Sequence, residues 1–163
     1  MSRNRFTSTH LLRPSRRVGG FTLIELMIVV GMMAVILGLA VPSFQSFIVG
    51  QRVKTASFSF ASAAVLTRSE AIKRNQDVVL TAAAGGWKDG WSVSVGGTVL
   101  SQQEGFPGGV VFSGAVTQVT YQSTGRLAAA PGDFQISGEA ASHARCISFD
   151  LSGLPKSRMG ACP

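Results

Sequence analysis

An α+β fold is expected: a long amino-terminal helix, membrane-spanning at first and then amphipathic, packed on a carboxyl-terminal head of antiparallel β-sheets or a small sandwich. Three observations predict it. An apolar run from Phe21 to Val41 follows an arginine-rich leader, helical periodicity continues to about Arg74, and from Asp77 short Val-, Thr- and Phe-rich segments alternate with glycines. The chain has 163 residues. That leaves room for one soluble domain beside the membrane segment, since single domains run to about 100–150 residues.

The formal charge of +7 suggests nucleic-acid binding until it is located. Arg3, Arg5, Arg13, Arg16 and Arg17 lie in the first 20 residues without an acid, so the rest of the chain, with 10 basic and 8 acidic side chains, carries only +2. The leader's arginines set topology. They are expected to hold residues 1–20 in the cytoplasm and send the carboxyl-terminal part across the membrane. His10 lies in the same polar leader, on which no fold depends.

Phe21 to Val41 is 21 residues long. A helix of that length covers about 30 Å, the thickness of a bilayer's hydrocarbon core. Only Thr22 and Glu25 interrupt its apolarity. An acid near the centre of a membrane helix costs roughly 2.5–3.5 kcal/mol on insertion scales and normally marks a function. Here Glu25 sits one turn from Phe21, where a new α-amino group would lie if the chain were cut after Gly20. A secretory signal has an apolar core of about 7–15 residues. Ala40 to Ser43 could pass for its cleavage site, but this run is too long and Glu25 would be out of place. A plain anchor leaves Gly19-Gly20-Phe21 and Glu25 without a reason.

The basic leader, Gly19-Gly20, Phe21 and Glu25 in this order closely resemble the class III signal of type IV pilins and pseudopilins, as does Pro42 farther down the helix. The resemblance implies that a prepilin peptidase cuts after Gly20 and methylates the amine of Phe21. Glu25 would then recruit the subunit into a fibre of major and minor pilins. Three regions follow: a cleaved leader at 1–20, a transmembrane stalk at 21–44 and a periplasmic head at 45–163.

Beyond Val41, Pro42 lacks an amide proton and should bend the helix. Phe58, Ala61, Val65 and Ile72 recur at helical spacing, with Val53, Ala56, Phe60 and Ala64 on an adjoining stripe, so this half should pack on a sheet. Glu70 precedes Arg74 by four residues, the orientation that favours a weak surface pair.

Val78–Ala82, Trp91–Val95, Thr98–Gln102, Val110–Phe112, Val116–Gln122, Phe134–Ser137 and Cys146–Asp150 read as strands. Gly85-Gly86, Gly96-Gly97, Pro107-Gly108-Gly109, Gly125, Pro131-Gly132 and Gly153 supply turns. Trp87 and Trp91 flank Lys88-Asp89-Gly90, taken as a hairpin turn, and are expected to fill a core, Trp91 above all. Trp87 to Val93, Val111-Phe112, Gly125-Arg126, Phe134 to Ile136, Cys146 to Phe149 and Ser152-Gly153 are similar to strand landmarks of the GspH/FimT group of minor pilins and pseudopilins, including FimT- and FimU-like members. That similarity spans most of residues 21–158 and implies a sandwich-like head on a low-abundance subunit.

The chemistry-bearing residues are few. Cys146 and Cys162 are the only cysteines, and in an oxidising compartment they are expected to pair. Two cysteines and His143 make too few ligands for zinc, so no metal is expected. Ser142-His143 has no defined acid partner, the glycine pairs lack the lysine a phosphate loop needs, and carboxylates do not cluster. The chain reads as a non-enzyme without a cofactor.

Arg145, Lys156 and Arg158, with Arg126 farther off, form a candidate contact for double-stranded DNA through its phosphates. Some FimT-type pilins bind DNA through a terminal Gly-Arg-x-Arg motif. The comparable residues here are Gly153-Leu154-Pro155-Lys156, and Gly125-Arg126-Leu127-Ala128 matches half of it. The function expected is structural: a minor pilin that starts or caps a type IV pilus. A DNA-binding pilin for natural transformation and a type II secretion pseudopilin are the alternatives.

Overall fold

The computed structural model describes residues 20–163 except Pro107, Ala115 and Leu151, and omits the side chains of Pro42 and Ala140. The leader arginines, His10, Gly19 and the first residue of the Pro107 turn lie outside the described residues. The chain divides into two compact units, Met1–Ala40 and Val41–Pro163.

Helix α1 runs over Leu23–Arg74, 52 residues, close to the predicted bounds. Thr22 caps its start by accepting the amide of Glu25 at 3.2 Å. Thr22-Leu23-Ile24-Glu25 is the S/T-x-x-E pattern of a capping box, and Glu25 is the acid of the first turn, where the helix dipole favours it. The large apolar residues from Phe21 to Val41 are exposed, and the helix is long and apolar enough to cross a membrane. At its far end Asn75 takes the left-handed conformation (φ 53°). The Asn75 and Gln76 amides donate back to Ile72 and Ala71, a Schellman closure. Glu70 pairs with Arg74 at 2.6 Å, as its spacing predicts.

In the second unit, β1 (Val78–Ala83), β2 (Gly86–Val95), β3 (Thr98–Glu104) and β5 (Gln118–Tyr121) form one sheet in the order β3-β2-β1-β5. The other sheet, β4-β6-β7-β8, is built from β4 (Val110–Ser113), β6 (Phe134–Gly138), β7 (Arg145–Phe149) and β8 (Pro155–Met159). Every pairing is antiparallel. Seven of these strands match predicted segments, with β5 shorter than Val116–Gln122.

Three expectations change. The basic segment Pro155–Met159, β8, carries no strand signal in Pro155 or in the charged Lys156 and Arg158. It is nevertheless the edge strand beside β7, a place that tolerates a leading proline and outward charge. Lys88-Asp89-Gly90 is no hairpin turn but lies inside β2. Ala82 and Ala83 of β1 pair with Trp91 and Gly86, so Trp87 to Gly90 bulge away from β1. The helical stripe named first is also not the core stripe. Val53, Ala56, Phe60, Ala64 and Ala71 are fully buried, whereas Phe58 is 74% exposed and Val65 and Ile72 about half.

Phe60 explains the choice of face. Its ring meets Trp87 and Trp91 from the first sheet, at 5.1 and 5.6 Å, and Phe134 and Phe112 from the second, at 4.8 and 6.2 Å. One helical side chain thus joins both sheets in a single core. Both tryptophans are buried, and the Trp87 indole N–H donates to the Val116 carbonyl at 2.7 Å, satisfying its polar edge. The buried hydroxyls of Ser57 and Thr67 donate to the carbonyls four residues back.

Candidate functional site

Gly20 and Phe21 precede α1, and Phe21 is 81% exposed, so the peptide between them is accessible. Glu25 is exposed on the first turn. Its amide satisfies the Thr22 cap while its carboxylate is left to solvent, membrane or a partner. The sequence reading did not draw this capping role, although Thr22 three residues before Glu25 signals it.

Cys146 and Cys162 form a disulfide, as expected, with Cα atoms 5.0 Å apart. Cys146 lies buried on β7, so the bond ties the carboxyl terminus to the centre of the second sheet. The Cys162 amide donates to the Gln135 side-chain oxygen at 3.2 Å. The Asp133 carboxylate approaches Cys146 Sγ at 3.7 Å. These three groups have metal-like proximity, but sulfurs bonded to each other are not thiolate ligands.

The four candidate DNA-contacting cations do not share one surface. Register pairs Cys146 with Arg158 and Ser148 with Lys156, and residues directly opposed across an antiparallel pair share a face. Lys156 and Arg158 therefore stand on the face that carries the disulfide, where Arg158 Nη2 is 3.8 Å from Cys146 Sγ. Arg145 alternates to the opposite face and, with Ser157, borders helix α1 at Lys54 and Phe58. Arg126 lies in the connection after β5, lining a separate cavity with Asp133 and Asp150.

Lys156 is also partly neutralised. Its ammonium is 3.6 Å from the Asp150 carboxylate. Asp150 closes the β7–β8 turn by accepting the Ser152 hydroxyl at 2.5 Å, the Leu154 amide at 3.0 Å and the Ser152 amide at 2.9 Å. Hydrogen bonding from the Ser152 hydroxyl and the Leu154 amide holds its carboxyl below the usual range, and Lys156 adds to this. Gly153 must be glycine here. Its φ is +81°, and a Cβ would come within 2.9 Å of the Tyr121 ring. The Tyr121 hydroxyl donates to the Gly153 carbonyl at 2.7 Å, and burial pushes its pKa up.

A second feature, at the other end of this sheet, carries no motif. The stretch from Gly138 to His143 forms a short 3-10 turn (Glu139–Ala141) with Ala141 and His143 at φ 58° and 53°. This loop sits on helix α1 at Val49 and Gly50, where the lack of a Cβ admits the His143 ring. Ser142 Oγ donates to the Glu139 carbonyl at 3.0 Å, closing the turn rather than facing His143. Gly50 and Gly138 could have pointed to a close approach, but glycines in this chain are too frequent to single them out.

A family model described as type II transport protein GspH matches residues 56–153, and one described as prokaryotic N-terminal methylation motif matches residues 15–41. Among solved structures the chain is similar to the type IV minor pilin FimU of Pseudomonas aeruginosa in two crystal forms. The first is 17% identical with a TM-score of 0.57, covering 68% of this chain and 90% of that one. The second is 19% identical with a TM-score of 0.55, covering 66% and 92%. Likeness at this identity establishes a shared fold. No curated protein matches the chain.

Proposed function

Because the chain belongs to the family of type II transport protein GspH and carries the N-terminal methylation motif, which makes it a minor pilin or pseudopilin, we propose that it is a processed fibre subunit helping to initiate or cap a type IV pilus. Prepilin peptidase cuts between Gly20 and Phe21 and methylates Phe21. Glu25 then guides the subunit to its neighbours, and the apolar helix holds it in the inner membrane, with the head in the periplasm, until assembly. Its role is structural, with no catalysis of its own. Residues 1–20, 21–44 and 45–163 serve as leader, stalk and head.

The observation that carries this reading is the exposed Gly20-Phe21 junction, followed one turn later by an acid at the start of an apolar helix with no buried residue in its membrane-length window. Intact mass after co-expression with a prepilin peptidase tests it. The expected species begins at Phe21 and carries one methyl group; retention of residues 1–20 or an unmethylated amine overturns the reading. Loss of twitching on deletion assigns the subunit to a pilus, and loss of secretion to a type II pseudopilus.

A second reading, capture of double-stranded DNA, rests on Arg158 and Lys156 sharing one exposed face. Two neighbouring cations give a weak, salt-sensitive contact. Binding measured across a salt series should fall in Lys156→Ala/Arg158→Ala, and no binding at low salt removes this reading.

A further inference from the structure

We propose that the groove between helix α1 and strands β7 and β8 binds the phosphate headgroup of an anionic phospholipid, an inference that rests on the membrane placement proposed above. Two adjoining cavities of about 400 and 410 Å³ share Gln51, Lys54 and Arg145 in their walls. Lys54 and Arg145 supply positive charge, His143 adds an imidazole, and no acid lines either cavity. Among the described residues neither Lys54 nor Arg145 has a carboxylate in ion-pairing range; the carboxylates that form ion pairs there are those of Glu70 and Asp150. Lys156, by contrast, is taken by Asp150. Arg145 of β7 thus faces Lys54 of the helix across the groove, while Arg158 stands on the opposite face of the sheet.

The groove is built rather than incidental. Two non-glycine residues, Ala141 and His143, hold left-handed backbone, which a fold sustains at a cost, and the loop they shape is seated against Val49 and Gly50. That seating places His143 beside Lys54 and Arg145.

The groove's rim and its place in the sequence choose the ligand. Phe47, Phe58 and Met159 border it with 58%, 74% and 82% exposure, surface that suits glycerol and acyl carbons and not a sugar-phosphate backbone. Between Glu25 and Arg52 the sequence holds 26 residues without a charge, about 39 Å of helix against a hydrocarbon core of about 30 Å. Lys54 follows two residues after Arg52, so the first cations past the charge-free run fall where a headgroup layer ends. Basic side chains near an anionic leaflet are drawn to it, and long ones reach back toward the interface.

The test uses the full chain reconstituted in phosphatidylcholine vesicles doped with spin-labelled phosphatidylglycerol or spin-labelled phosphatidylcholine, with the immobilised fraction of each label read by electron paramagnetic resonance. The expected preference for phosphatidylglycerol is about thirtyfold, the scale two basic side chains give at an anionic surface. Lys54→Ala/Arg145→Ala should abolish it, Lys54→Arg/Arg145→Lys should keep it, and Lys156→Ala/Arg158→Ala should leave it unchanged. Equal immobilisation of the two lipids, or a preference that survives Lys54→Ala/Arg145→Ala, overturns the proposal. So does complete displacement of phosphatidylglycerol by inorganic phosphate, which makes the groove a general anion site, or by duplex DNA, which makes it a nucleic-acid site. Self-association lost in the same variant, without lipid preference, assigns the groove to a second copy instead. A chain that fails to float with the vesicles refutes the membrane placement itself, whereas one that floats without lipid preference refutes only the headgroup site.

Discussion

The imidazole of His143 rests on helix α1 at Gly50, so closely that a Cβ there would lie 2.9 Å from its Cδ2. The same loop meets the helix one residue earlier. A Cβ on Gly138 would fall 2.5 Å from Val49 Cγ1 and 2.6 Å from Ser142 Oγ. Gly138 has φ −75°, which alanine adopts freely, so the cost of Gly138→Ala is packing alone. Overpacking of this kind costs about 1–3 kcal/mol. A urea titration of the Val41–Pro163 unit should show its midpoint lowered with the slope unchanged.

Phe60→Ala and Phe58→Ala form a contrasting pair. Phe60 is fully buried among four aromatic rings, and removing such a side chain costs about 3–5 kcal/mol. Phe58 is 74% exposed, and its loss should change stability by no more than about 0.5 kcal/mol. Equal losses in the two variants would contradict the helix orientation.

The disulfide closes a loop over a sequence separation of 16 residues. In the chain-entropy treatment such a loop is worth about 3 kcal/mol. Cys162→Ser should lower the unfolding free energy by about 3 kcal/mol, and reduced wild type should behave alike. Wild type measured with and without reductant supplies the control.

Asp150 sets an acid-side dependence. Its folded pKa is depressed, so its contribution to stability is present above the ordinary carboxylate range, about 3.9, and is lost as pH falls through the folded value. Asp150→Ala should therefore be less stable than wild type at pH 7, with the gap closing as both are titrated toward pH 2. Glu70, lowered chiefly by its hydrogen bond to Arg74, acts in the same sense. A gap between wild type and Asp150→Ala that stays constant with pH would show that the Asp150 charge is not what holds the turn.

Local patterns along the chain were enough for the helix, seven of the eight strands and the N-terminal methylation motif. The charge-free run, the helix to Arg74 and the Glu70–Arg74 pair are local patterns, readable because helical spacing and hydropathy act over a few turns. Seven strands were legible for the same reason, each a short β-branched or aromatic run between glycines. The N-terminal methylation motif at residues 15–41 was legible because its residues sit at fixed offsets in one continuous stretch, and the cysteine pair because there was no other choice of partners.

Which residues face one another follows from how helix and sheets pack. Phe58 and Phe60 stand about 200° apart around a helix, and both belong to apolar stripes of good period. The two sheets select Phe60, because one ring can reach Trp87, Trp91, Phe112 and Phe134 together. β8 became a strand through pairing with β7, an interaction that its own Pro-Lys-Ser-Arg sequence does not announce. That pairing also separated the cations: the two-residue period of a strand turned Lys156 and Arg158 away from Arg145, and the loop at His143 brought Arg145 to Lys54, some ninety positions distant in the chain. Adjacency along a sequence specifies a strand's composition, whereas the side of the sheet each charge occupies follows from register and from what packs behind it.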